Sequence, residues 1–177
     1  MYEVDDLDRV IALDGIPPSD TGAPLPIVLA DENNLLIAYI TSSPDPNWDG
    51  RIAESVSPTT PYRSVAVVEF ELATAHMLGS PNDEARHGHP LHGRGLGYYG
   101  AYEVVNSSWI RKLERMNAVH DRHDPSWYFQ GKRHFIFTFH DSTFECVARD
   151  FEVERVTGTM GYALDRMCEI LCDTWRR

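Results

Sequence analysis

All eight histidines fall between positions 76 and 140, well under half of the 177-residue chain. Imidazole titrates near neutral pH, and its neutral form ligates zinc and non-haem iron, so histidines clustered among carboxylates suit acid–base work or metal chemistry. Two stretches supply both groups: residues 79–97, with Asp83, Glu84, His87, His89 and His92, and residues 133–156, with His134, His140, Asp141 and Glu145. Read without a metal, His140 is the base, Glu145 its carboxylate partner and Arg149 the contact for an anionic substrate group. His134, Thr138, Asp83 and Glu84 then line the ligand site. Read with a divalent metal, zinc or iron, the candidate ligands are His87, His89 and His140. That motif is weak, because His87 and His89 point the same way only in extended chain and no second ligand pair stands at a diagnostic distance. The plain alternative is a wet surface that tolerates histidine.

These side chains need elements to hold them. Residues 133–156 read as a hairpin, with HFIFTFH and TFECVARDFEVERV joined by an Asp141-Ser142 turn. That turn would oppose His140 to Thr143, Phe137 to Cys146 and His134 to Arg149. One face then carries Phe135, Phe137, Phe139, Phe144, Cys146 and Ala148 and should pack under a helix. The other carries His134, Thr138, His140, Thr143, Glu145 and Arg149 around Ile136 and Val147, a fit floor for a small-molecule pocket. Residues 79–97 hold five glycines, two prolines and three histidines. They read as a long loop able to fold over that face.

Elsewhere, residues 26–41 alternate apolar run, turn and apolar run as a hairpin does. Residues 42–62, with four prolines, read as a surface loop. Residues 64–73 show the period of two expected of a third strand, and 98–105 resume strand character. Asn106 or Ser107 can cap a following helix, where Ile110, Leu113 and Met116 recur at helical spacing. A last helix spans 159–175, with Met160, Ala163, Leu164, Met167, Cys168, Leu171 and Trp175 as its apolar stripe. His120 and His123 read as residues of a helix C-terminus, and Trp127, Tyr128 and Phe129 as loop anchors. The first 25 residues show no period and read as an irregular surface segment. The expected fold is one α+β domain over 1–177: a mostly antiparallel twisted sheet of about six strands, barrel-like as the alternative, with a middle and a C-terminal helix.

Charge and cysteine content narrow the partners. Sixteen basic against twenty-seven acidic residues leave a net charge of −11, which argues against nucleic acid and against anionic membranes. No signal-like start and no long apolar run appear, so a soluble, cytoplasmic protein is expected. The three cysteines, Cys146, Cys168 and Cys172, lack disulfide or zinc spacing and read as core filler. Neither a nucleophile elbow nor a Walker loop occurs, and Gly93-Arg94-Gly95-Leu96-Gly97 lacks the strand–turn–helix setting of a dinucleotide site.

The stretch from NDEARHGHPLHGRGLGYYGAYEVVNSSWI through RHFIFTFHDSTFECVA resembles a block found in bacterial proteins of similar length with no assigned activity. It covers roughly the second half of the chain. The resemblance implies a bacterial source and a self-contained domain, and transfers no substrate, cofactor or catalytic residue.

The residues therefore point first to a small-molecule enzyme or ligand-binding domain, its site between the 79–97 loop and the 133–156 hairpin. The alternative is a regulatory or immunity-type protein-interaction module without catalysis, whose acidic charge steers a basic partner. A homo-oligomer is open under either. Convergence of His89, His140 and Glu145 in an enclosed cavity separates the first reading from the second.

Overall fold

In the computed structural model the described residues are 2–42 and 55–176, so 43–54 of the expected 42–62 loop lie outside them. Two antiparallel sheets pack face to face. One holds β2 (Ile27–Ala30), β3 (Leu35–Ile40), β4 (Arg63–Glu71) and β9 (Asp150–Gly158). The other has the order β1 (Arg9–Ala12), β6 (Ala101–Val105), β7 (Arg133–Thr138), β8 (Thr143–Ala148) and β5 (Ala75–Gly79). The β2–β3 hairpin is as expected; Asp31 Oδ1 accepts from the amides of Asn33 and Asn34 at 2.7 and 2.8 Å and so fixes the turn.

The expected second arm of the 133–156 hairpin is two strands in different sheets. β4 pairs β9 in one sheet and β5 pairs β8 in the other, so β4–β5 and β8–β9 form a single ribbon that bends from sheet to sheet. Between the pairs Glu71–Asp150 and Ala75–Val147, one chain has residues 72–74 where the other has 148 and 149. That extra residue makes a bulged corner, with Leu72 in left-handed backbone at φ 49°. Sequence periodicity runs straight through Arg149, because a change of partner sheet leaves the alternation intact.

The apolar face of β7 and β8 is the one expected: Phe135, Phe137, Phe139, Phe144, Cys146 and Ala148 are all in the core. Its partner is a sheet and not a helix. Phe70 of β4 lies 5.8 Å from Phe135 and 5.7 Å from Phe144 between ring centres, and Tyr39 of β3 lies 5.2 Å from Phe139.

α3 (Met160–Thr174), capped by the Thr159 hydroxyl, covers the outer face of the four-stranded sheet. Met160, Ala163 and Met167 meet Leu36, Ala38 and Val67 there. The expected stripe is too wide: Leu164, Cys168 and Trp175 are exposed, and Trp175 instead donates to Asp31 of the β2–β3 turn at 2.8 Å. The cysteines are free, Cys146 buried in the core and Cys172 half-buried.

The outer face of the five-stranded sheet is covered by the N-terminal segment, residues 79–97 and α1 (Ser108–Asn117). The N-terminal segment is irregular outside one short strand, as expected, but it is packed in and not only at the surface. It forms β1 against β6, and buried Asp8 accepts the Ser108 amide at 2.7 Å beside the Ser107 cap of the same helix. A five-residue helix, α2 (Pro125–Phe129), follows α1. No helix among the described residues is long and apolar enough to cross a membrane.

Candidate functional site

Residues 79–97 fold over the polar face of β7 and β8, as the sequence suggests. They contain one 3-10 turn, Arg86–Gly88, and then seat Leu91 and Leu96 against Val10, Val104 and Ile136. Gly95 is required by the seat: its φ is +109° and a Cβ would lie 2.5 Å from Val10 O.

Beneath this strap Glu145 is 2% exposed and is reached by three donors. The Tyr2 hydroxyl donates to Oε2 at 2.5 Å and His134 Nε2 to the same oxygen at 2.9 Å, while His89 Nε2 stands 3.3 Å from Oε1. The Leu91 amide donates to His89 Nδ1 at 3.1 Å, which fixes the His89 proton on Nε2, facing the carboxylate. Ser107, the α1 cap, closes the network 2.8 Å from His134 Nδ1. Burial alone would push the Glu145 carboxyl up, but the hydrogen bonds from His134 and His89 outweigh it and hold the group down at about 2. Tyr2 is pushed up by burial and by the Glu145 charge. The network joins the N-terminus, the strap, α1, β7 and β8 and is packed shut; His134 and Thr138 are fully buried within the sheet, Thr138 bonding the Gly100 amide at 3.1 Å.

His140 is not on this face. Thr138 pairs Thr143 and the Phe139 amide donates to Ser142 O at 2.9 Å, so His140 and Asp141 are the two turn residues. Phe137 accordingly opposes Phe144, and His134 opposes Val147. The pairing differs from expectation by two residues, an even number, which preserves every face while moving His140 to the tip.

At that tip His140 Nδ1 lies 2.8 Å from Asp83 Oδ2, and the Asp83 amide donates to His140 O at 2.9 Å. The Tyr99 hydroxyl donates to the same carboxylate oxygen. Asp83 is held below the usual carboxylate range by Tyr99 and then by His140, and His140 is held above the usual imidazole range chiefly by its bond to Asp83. His140 keeps 40% of its side chain exposed, and its Nε2 makes no hydrogen bond among the described residues. Tyr99 occupies left-handed backbone at φ 52°, an outlier for a bulky residue and a sign of over-determined local structure. Behind the pair, buried Arg86 donates to Gly97 O at 3.1 Å and Phe139 O at 3.3 Å and stacks under Tyr98.

The remaining expected residues lie apart. Glu84 is exposed beside Asp83. Arg149 belongs to the bulged corner, with its Nε 3.0 Å from Glu71, because the chain leaves the five-stranded sheet there. The candidate metal set does not assemble: His87 is exposed with its ring 4.6 Å from that of His92, His89 is buried, and His140 is taken by Asp83. Among the described residues no group of three or more His, Cys, Asp or Glu side chains is placed to hold a metal ion. Tyr2, Ser107 and Tyr99 were not legible as site residues, since each is brought in by long-range packing. No protein-family model, curated protein or solved structure matches the chain.

Proposed function

We propose that the protein is a small-molecule enzyme that works by acid–base catalysis at His140, where the 79–97 strap meets the tip of the β7–β8 hairpin. The observation that carries this reading is the Asp83–His140 pair. A carboxylate on Nδ1 fixes the tautomer of neutral imidazole, leaves the Nε2 lone pair for a substrate proton, and stabilises the imidazolium formed when that proton is taken. The buried Glu145 network supports the site by fixing the strap that carries Asp83. Asp83, Asp141 and Glu84 all act on His140, so the local field is negative and suits a neutral or cationic substrate.

The test is a thermal-shift screen of a small-molecule library against the wild-type protein and His140→Ala. Compounds that stabilise the first and not the second support the reading; a library with none overturns it. The second reading, a regulatory or immunity-type interaction module, is favoured because His89, His140 and Glu145 do not converge in one cavity, the first and last being packed shut and His140 standing at the hairpin tip, and by the net charge of −11.

A further inference from the structure

We propose that the groove between the α1–α2 segment and the bulged corner is a second site, which binds a small polyanion bearing a planar ring, the class that includes nucleoside phosphates. The groove has a volume of about 1100 Å3, ample for a ligand of that size. Its lining brings together Arg122, Lys132 and Arg149 against a single lining carboxylate, Asp124. On a chain of net charge −11 this local excess runs against the overall balance.

Three of the nearby acids are already engaged, while Asp121 stays exposed beside Arg122 in the chain. Glu71 takes Arg149, with Nε 3.0 Å from its Oε2; Glu114 lies 2.6 Å from His123 Nε2; and Asp124 accepts the Ser126 amide at 2.9 Å as the cap of α2. Arg122 and Lys132 have no carboxylate partner among the described residues. Lys132 is placed instead by the Tyr128 ring, its Nζ 4.4 Å from the ring centre. Arg122 and Lys132 thus leave positive charge at the groove without a carboxylate partner, which a polyanion can neutralise.

The ring preference comes from Trp127. It lines the groove with 78% of its surface exposed, leaving an indole face on which a flat ligand can stack. Leu72, also lining and exposed, extends the apolar wall. No glycine-rich fingerprint is needed, because the donors are side chains and not a backbone cradle.

The test titrates the full-length protein with ADP, pyrophosphate and adenosine by calorimetry, with Arg122→Ala/Lys132→Ala, Trp127→Ala and His140→Ala alongside. ADP should bind most tightly, pyrophosphate next and adenosine weakest. The double variant should weaken ADP by about tenfold or more, Trp127→Ala should bring ADP down to the level of pyrophosphate, and His140→Ala should leave binding unchanged. Arg122 and Trp127 are exposed and Lys132 and His140 half-buried, and circular dichroism checks the fold. Absence of ADP binding at millimolar concentration, or binding that the double variant leaves intact, overturns the proposal. Loss of ADP binding in His140→Ala does so as well, by placing the ligand at the other site.

Discussion

Asp83 Oδ2 and His140 Nδ1 lie 2.8 Å apart, one on the strap and one at the tip of the β7–β8 turn, so two segments distant in sequence share one titrating unit. The Asp83 bond favours the imidazolium over the neutral ring, so the folded pKa of His140 is raised above the ordinary imidazole value. Its contribution to stability is therefore fully present below the unfolded value and is lost as pH rises through the folded one. Resonance titration by NMR should give a His140 midpoint raised above that of an ordinary imidazole, and Asp83→Asn should bring it down. A midpoint unmoved by that substitution would mean the pair does not form in solution.

Glu145 gives the opposite limb. Its carboxyl falls from 4.5 to about 2 on folding, so its stabilisation is present above pH 4.5 and is lost as pH falls toward 2. Removing one partner from a buried, hydrogen-bonded charge cluster typically costs about 3–5 kcal/mol, and Glu145→Ala should show that loss in denaturant melts at neutral pH. Glu145→Gln should flatten the acid dependence between those two values. A loss under about 1 kcal/mol for Glu145→Ala would mean the network is solvated.

The sheet-to-sheet core makes a separate test. Phe137→Ala should destabilise by about 3–5 kcal/mol, since the ring is 1% exposed and contacts Phe70, Tyr39 and Phe144. His87→Ala, on the outside of the strap, should stay within about 0.5 kcal/mol. Similar values for the two would contradict the face assignment.

Strap seating can be probed at a glycine. Gly95→Ala must place a Cβ 2.5 Å from Val10 O at φ +109° and should cost more than about 1 kcal/mol. Limited proteolysis within 79–97 should accelerate in parallel. Gly88→Ala, with nothing within 4 Å of its Cβ, is the control; equal effects would show that the strap is not docked at Val10.

The faces of β7 and β8 were legible because apolar and polar side chains alternate along them, although both faces end up buried, and a two-residue shift of the pairing leaves that alternation intact. The exact turn was not, since Phe139 is as good a strand residue as a turn neighbour and only its burial beside Tyr39 decides. The division of residues 143–158 between two sheets was hidden for a similar reason: Arg149 changes the partner strand without breaking the alternation. Glu145 and His134 were legible on one polar face and His89, Asp83 and His140 as candidates around it, but the pairings were not: Glu145 was expected to partner His140, and it bonds His134 and His89 while His140 bonds Asp83. These pairings depend on how far the strap reaches, which no local pattern encodes. Arg149 was misplaced by the corner, and Trp127 was read as an anchor although its indole is left exposed.

The acid–base assignment is tested most directly by turnover. Wild-type protein, His140→Ala and Asp83→Asn would each be incubated with a mixture of neutral and cationic small molecules, and compound loss followed by mass spectrometry. The expected result is at least one compound consumed by the wild type, untouched by His140→Ala and consumed more slowly by Asp83→Asn. Consumption at equal rates by all three proteins, or by none, would contradict catalysis at His140.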